Sequence, residues 1–438
     1  MDVSLDEMLD ARERRVREQR RLLNEYKLPL ICLTLNIAGP KKDYPLARSA
    51  FYEGVRRIRA AVPLRYESII TPHTGCEGFF IVHGHKPEVI KRLMVEIEER
   101  DRLGRIFDID VIDVNGSKLS RDEPRKCFIC DNAAAACARN RSHTAAELER
   151  VVNGLIRCFY SDRIAQIAYD ALILEVETTP KPGLVDSANS GAHDDMDIDT
   201  FRRSAKALKP YFKSYAMLAM ETSMLTAERI MEGLKTTGRM AENAMYAATG
   251  GINTHKGINY SMGLLCAAIG ICIEAGIELD NAVRLCSELA SQSALNDFTQ
   301  IEKGAAPSSH GEVLYLSKGI KGVRGEAIGG FPCAVYAKNR IYEYLGMGLS
   351  QNDACVLTLA EIMAILEDSN VCYRSGTGGL RHMREAAKRI LALPVADRVE
   401  AMRELDGDFI GRRISPGGCA DTLAMAIMMH RVETAFSV

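Results

Sequence analysis

The pattern of apolar and polar positions divides the chain into two textures. Residues 4–25 repeat apolar positions at helical spacing among many Arg and Glu residues. Leu28–Leu35 is a short apolar run and reads as a strand. Helical spacing returns over Leu46–Ala61. Arg65–Thr71 and Phe79–His83 read as two strands joined by a Pro/Gly turn around Pro72–Gly78. Lys86–Arg100 is helical, and Ile106–Val114 alternates apolar residues with Asp, as a half-buried strand does. Strand, helix, strand, strand, helix, strand is the split βαβ, or ferredoxin-like, order of an α+β domain.

After Asn115 comes a Cys-rich stretch, then a helix from about Ala145. From Asp162 onward strand signals almost vanish. Helices are predicted over 163–177, 198–224, 239–249, 258–276, 280–303, 325–347, 350–367, 379–392 and 419–434. The short loops between them are dense in Gly, Pro, Asp, Asn and His. This predicts an all-α domain whose loops carry the chemistry. The charged helical stretch near 155–165 is the expected boundary, giving domains 1–158 and 159–438. No internal repeat stands out.

Composition narrows the function classes. Hydrophobic residues are 47% and charged residues 26%, so the chain has material for sizeable cores and is not disordered. A net charge of −2, no Trp and only 6% aromatics argue against a nucleic-acid partner. The charged N-terminus is no signal peptide, and the most apolar run, Met262–Ile273, is too short to span a bilayer. With 13 cysteines this points to a reducing cytoplasm.

Several constellations could carry chemistry. Asp108 and Asp110 sit at i and i+2 on a predicted strand, so both face one way. They form either a Mg²⁺ site for phosphoryl chemistry or a solvent-facing acidic edge. Cys127-x2-Cys130-x6-Cys137-x5-His143 has zinc-ligand spacing, the alternative being reduced cysteines beside a surface His. Asn36–Lys42 is a Gly turn with Lys after the first strand. Thr179–Asp186 leads to His193, Asp194, Asp195, Asp197 and Asp199, a carboxylate density that needs solvent, caps or metal. Thr249–Gly257 holds His255 and Lys256 at a helix start, where anions bind. Ser309–Glu312, Gly322–Glu326 with Arg324, Glu367–Gly376 with Asp368 and Arg374, and Ser415–Asp421 are further Gly/polar loops. Their number between apolar helices predicts convergence on one phosphate-binding site.

These strings together resemble two known families. Residues 1–155 resemble the CitX-type apo-citrate lyase phosphoribosyl-dephospho-CoA transferases through LDARERRVREQRRLL, LTLNIAGPKKDYPL, GRIFDIDV and RKCFIC…CARNRSH. Residues 160–438 resemble the CitG-type triphosphoribosyl-dephospho-CoA synthases through VETTPKPGLVDSANSGAHDDMD, NTHKGINYSMGLL, GVRGEAIGGFP, DSNVCYRSG and ISPGGCADTLA. The chain looks like a fusion of the two.

The resemblance implies two consecutive steps. ATP and 3′-dephospho-CoA would give 2′-(5″-triphosphoribosyl)-3′-dephospho-CoA and adenine. The phosphoribosyl-dephospho-CoA unit would then pass to a serine of the citrate lyase acyl carrier protein, the γ subunit, with release of diphosphate. Asp108 and Asp110 with Mg²⁺ would promote that transfer, with Lys42 and Arg48 on phosphate. Asp195, Asp197 and Glu326 are candidate metal ligands or bases for the first step. Lys181, Lys256 and Arg324 are candidate triphosphate contacts, and His193, His255, Asp368, Arg374 and Asp421 further substrate contacts. No residue is singled out as the base. The chain departs from the pattern at Ala38, where Pro is expected, at Ser369 (Thr), Ser375 (Gly) and Arg413 (Asn).

Three rivals remain at this level. One is the malonate decarboxylase version of the same maturation chemistry, from which RKCFIC…CARNRSH leans away. Another is a Mg²⁺-dependent ADP-ribosyl glycohydrolase-like domain beside a zinc module. The third is a non-catalytic zinc-binding interaction protein.

Overall fold

In this computed structural model residues 2–121, 123–130, 132–303 and 310–436 are described, without the side chains of residues 310 and 311. The chain forms two compact units that meet in sequence between Tyr160 and Ser161.

The first unit is built on a four-stranded sheet. Its elements are α1 (Leu5–Tyr26), β1 (Leu30–Leu35), α2 (Pro45–Ala61), β2 (Leu64–Ile70), β3 (Glu77–Val82), α3 (Pro87–Glu99), β4 (Phe107–Ile112) and α4 (Ala134–Asn140). Helix α5 (Ala145–Glu177) begins here. The strand order is β2-β3-β1-β4 with every pairing antiparallel, and β1 registers Leu30 with Ile81 on one side and Ile112 on the other. That is the expected split βαβ arrangement. β1 and β3 are central, so both their faces are apolar and buried. Leu33 and Phe107 meet α2 at Gly54, where a Cβ would lie 3.1 Å from Leu33. The opposite face, with Leu30, Cys32, Phe79, Ile81 and Ile112, packs under Leu22 and Leu23 of α1. Helix α1 therefore covers a face that a two-layer domain would leave to solvent. Ser4 and Glu7 form a reciprocal capping box that starts it.

The second unit is helical throughout its described residues. After α5 come α6 (Ile198–Glu221), α7 (Ala227–Thr249), α8 (Lys256–Ala275), α9 (Ala282–Glu302), α10 (His310–Lys318), α11 (Gly322–Ile328), α12 (Pro332–Gly346), α13 (Gln351–Ile365), α14 (Ser369–Leu391), α15 (Val395–Arg412) and α16 (Gly417–Phe436). α8 is long and apolar enough to cross a membrane, and its apolar window is 78% buried in the protein, as a core helix is. Its Gly263 and Gly270 let α6 approach: Cβ atoms there would lie 2.8 Å from Tyr215 and from the Ala216 carbonyl.

Four differences from the periodicity have physical causes. The single helix expected over 325–347 is two, α11 and α12, because Gly329-Gly330 and left-handed Phe331 (φ 58) precede Pro332. α14 begins ten residues before the expected 379 and bends at Gly376 (φ 69), which hides its first turns from a helical window. α7 also starts earlier, at Ala227 behind the Thr226 cap. α15 was not expected: only Met402 and Phe409 of it are buried, too sparse a stripe to mark.

Candidate functional site

The second unit holds a cavity of about 840 Å³, lined from six inter-helix segments and the helix ends beside them. Loop 178–197 comes first. Asp186 staples it, accepting hydrogen bonds from Thr179 Oγ1 (2.7 Å) and the backbone N–H groups of Lys181, Ala188 and Asn189. Gly183 (φ 69) approaches the next chain so closely that a Cβ would sit 2.0 Å from the Ile414 carbonyl. The loop so shaped buries Lys181, whose Nζ lies 2.5 Å from Glu175 of α5. Burial holds the Glu175 carboxyl above the usual range, and Lys181 works against that rise. His193 binds Ser415 Oγ at 2.8 Å and lies 3.3 Å from the Arg374 guanidinium. Burial and that guanidinium hold its pKa down.

The α7–α8 segment contributes Asn253, Thr254, His255 and Lys256. His255 is 3% exposed, and its Nδ1 lies 2.6 Å from Ser204 Oγ of α6. Burial, with Lys181 adding to it, drives its pKa down to about 3, so the imidazole is neutral.

The remaining walls carry carboxylates. Glu326 gives one oxygen to the Cys333 N–H at 3.2 Å, and burial raises its pKa. Asp368 caps α14, accepting from the N–H groups of Asn370 (2.8 Å) and Val371 (3.1 Å), and also from Cys419 N–H of α16 (2.9 Å). Gly418 permits this, since a Cβ there would stand 3.1 Å from the Asp368 carboxylate. Asp421 faces the cavity and makes no side-chain hydrogen bond among the described residues. Burial, then the charges of Glu175 and Asp368, push its carboxyl well above the usual range. A Cβ on Gly257 would lie 2.5 Å from Asp421 Oδ2, so the glycine makes room for it.

Of the sequence-derived residues, Lys181, His193, Asp195, His255, Lys256, Glu326, Asp368, Arg374 and Asp421 therefore line one cavity. Asp197 and Arg324 do not. Asp197 is the N-cap of α6, accepting from Thr200 N at 2.8 Å. Arg324 turns to Glu312 (3.0 Å) and Asp297 (3.5 Å). Ser309 and the side chains of His310 and Gly311 lie outside the described residues. Glu175 and Ser204 were missed, because nothing in a helical run marks which polar residue points inward.

In the first unit Asp108 and Asp110 do share a face of β4, the sheet edge. Each has its own cation: Arg125 lies 3.0 Å from Asp108, and Lys118 lies 2.6 Å from Asp110. Both cations come from the segment after β4, which folds back so that Leu119 N–H donates to Val111. Lys42 Nζ donates to the Ile37 carbonyl at 2.5 Å, and Arg48 is held bidentately by Asp43 at 2.6 Å. Both are thereby tied into the turn after β1.

That folded-back segment ends in the Cys127, Cys130, Cys137 and His143 cluster, whose ligand atoms all lie within 4.8 Å of one another. Cys130 Sγ is 3.4 Å from Cys137 Sγ and 3.3 Å from His143 Nε2. The His143 contact pulls the Cys130 thiol down, while the facing Cys137 goes up. The four residues could hold a metal ion, and Arg105 anchors the cluster through the Cys127 carbonyl at 2.6 Å.

Comparison with known proteins adds to this geometry. Residues 3–159 match the model of the CitX family, apo-citrate lyase phosphoribosyl-dephospho-CoA transferase. Residues 161–437 match that of the CitG family, ATP:dephospho-CoA triphosphoribosyl transferase. The chain is 34% identical to Protein CitXG of Haemophilus influenzae, over 97% of this chain and 95% of that one. It is 30% identical to Protein CitXG of Leuconostoc mesenteroides, over 98% and 97%. It is 35% identical to the 2-(5''-triphosphoribosyl)-3'-dephosphocoenzyme-A synthase of Haemophilus ducreyi, over 68% of this chain and 98% of that one.

Proposed function

The chain belongs to the CitX family through residues 3–159 and to the CitG family through residues 161–437, and from that premise we propose how its residues divide the work. It is a bifunctional transferase that makes the citrate lyase prosthetic group from ATP and dephospho-CoA and attaches it to the acyl carrier protein. We assign the synthesis to residues 159–438 and the attachment, to a serine of the γ subunit, to residues 1–158. Those substrates support a cytoplasmic location.

The cavity carries the synthesis reading, because one enclosure combines buried carboxylates with Lys256, Lys321 and Arg374. Displacement of adenine at the ribose carbon needs a base for the 2′-hydroxyl and an anchor for the triphosphate. Asp421 is that base: its raised proton affinity and open oxygen atoms suit proton uptake. Lys256 and Arg374 hold triphosphate oxygens, while Lys181, committed to Glu175, positions the loop. Mg²⁺ would be held by the triphosphate together with Asp195 and Glu326, two cavity carboxylates, and would neutralise phosphate charge. Asp197 and Arg324 are set aside as cap and ion-pair partner.

In the first unit, Arg125 and Lys118 leave Asp108 and Asp110 as phosphates arrive and then meet the phosphates themselves. The aspartates are thereby freed for Mg²⁺, which would stabilise the departing diphosphate. Cys127, Cys130, Cys137 and His143 would hold Zn²⁺, whose preference for thiolate and imidazole ligands they fit. The cluster keeps Arg125, two residues upstream of Cys127, over the sheet edge.

Incubating the protein with ATP, 3′-dephospho-CoA and Mg²⁺ tests the first step. Adenine and a triphosphoribosyl adduct by mass are expected. ADP-ribose instead of adenine would support the hydrolase, and no ATP-dependent product would leave only a binding role. Adding apo-carrier protein from citrate lyase or from malonate decarboxylase decides the acceptor by mass increment. Elemental analysis should find one zinc per chain, lost in Cys137→Ser.

A further inference from the structure

His255 is the buried polar group that the scheme above leaves without a task. It is 3% exposed at the cavity wall, and its Nε2 has no hydrogen-bond partner among the described residues. Buried polar atoms are seldom left unpaired, and an orphan on a cavity-lining residue marks a place for ligand. The other ring nitrogen is fully engaged. Thr254 Oγ1 donates to Ser204 Oγ at 2.7 Å, and Ser204 Oγ lies 2.6 Å from Nδ1. Ser204 Oγ keeps one hydrogen and a second lone pair, so it can donate to Nδ1 or accept from Nδ1–H. In the tautomer where Ser204 donates, the ring proton of the neutral imidazole sits on Nε2, which is then an unpaired donor on a cavity-lining residue.

Building on the reading above, we propose that His255 donates a hydrogen bond from neutral Nε2–H to a ring nitrogen of the departing adenine. The surroundings fit a heterocycle better than a phosphate. Phe201 meets the imidazole edge-on at 5.0 Å, and Leu172, Leu184 and Met425 add apolar wall. A neutral donor competes poorly for triphosphate with Lys256, Lys321 and Arg374 in the same cavity. Its pKa near 3 keeps it neutral at any working pH.

In the step, the bond between ribose C1′ and adenine N9 breaks and its electron pair goes to the base. C1′ forms its new bond to the 2′-oxygen of dephospho-CoA. The hydroxyl proton passes to Asp421 and ends on adenine. His255 keeps its own proton throughout and stabilises only the charge that develops on the purine.

The test uses the full chain and steady-state adenine release. His255→Leu should lower kcat about 100-fold with little change in KM for ATP. His255→Gln, whose amide N–H can take the place of Nε2–H, should recover to within about tenfold of wild type. Wild type should also be slowed by 7-deaza-ATP or 3-deaza-ATP, whichever lacks the acceptor. That loss should vanish in His255→Leu, which has no donor to forfeit. Ser204→Ala, which removes the partner of Nδ1, should fall between. His255→Gln as inactive as His255→Leu while folded, or deaza losses that persist in full in His255→Leu, would overturn the inference. If His255→Leu fails to fold, the Gln variant and wild type with the analogues still decide. Wild type that releases no adenine would overturn the underlying reading; active wild type with an unimpaired Leu variant would overturn this inference alone.

Discussion

Asp368 offers the sharpest check on how the cavity is held together. Its carboxylate is 1% exposed and accepts three backbone N–H bonds, at 2.8 and 3.1 Å within α14 and at 2.9 Å from Cys419 of α16. Hydrogen bonds to a charged group contribute about 1.5–3 kcal/mol each, so the gross tie is about 4.5–9 kcal/mol. Burial works against it, as the raised pKa of Asp368 records. Water in the cavity can also replace part of what is lost. Asp368→Ala should therefore cost the helical unit about 3 kcal/mol. Asp368→Asn, which keeps an oxygen for Asn370 and Val371, should cost about 1–2 kcal/mol. Urea unfolding followed by circular dichroism reads this directly: with a slope of about 3 kcal/mol per molar, the Ala midpoint falls by about 1 M. The pH dependence has a definite sign. Above 3.8 and up to its raised value, the folded chain holds a proton on Asp368 that the unfolded chain has released. Stability from this group is thus present at low pH and lost as pH rises through that window. The gap between wild type and Asp368→Ala should shrink as pH increases. An Ala variant within 0.5 kcal/mol of wild type (~0.2 M in midpoint), or a gap that widens with pH, would refute the reasoning.

Asp421→Asn should reduce adenine release at least about 100-fold, yet leave the urea midpoint at neutral pH no lower than wild type, because the Asp421 side chain makes no hydrogen bond that the amide would lose. Arg413 closes α15 in the left-handed region at φ 52, so Arg413→Gly should raise the stability of the helical unit by about 0.5–1 kcal/mol in the same titration. Gly183→Ala, with its Cβ 2.0 Å from the Ile414 carbonyl, should cost about 3 kcal/mol or more and lower activity through the displaced loop. Removing zinc, by chelation or Cys137→Ser, should abolish carrier modification while adenine release continues.

The departures noted in the sequence become readable once the backbone is known. Asn is expected at 413 because that position is a left-handed helix end, and Asn tolerates it better than Arg does. Ser375 stands just before the bend at Gly376 and bonds the Arg413 carbonyl at 3.0 Å. Neither touches the acidic groups of the cavity.

The sequence by itself determined the elements and the residues that could meet. Alternation in Ile106–Val114 and the apolar runs around it specified a sheet in split βαβ order, because side-chain direction repeats every second residue. The spacing of Cys127, Cys130, Cys137 and His143 specified that these four side chains could cluster, because they are close along the chain. Only the tertiary structure decided which charges are already spent. Lys181 is taken by Glu175, Arg324 by Glu312, Asp108 by Arg125, and Asp186 by its own loop. Asp197 spends itself on a helix cap, while the Asp421 carboxyl and His255 Nε2, both on cavity-lining residues, have no hydrogen-bond partner among the described residues. Pairing and desolvation depend on what distant segments bring within 3–4 Å, and residue spacing alone carries no record of that.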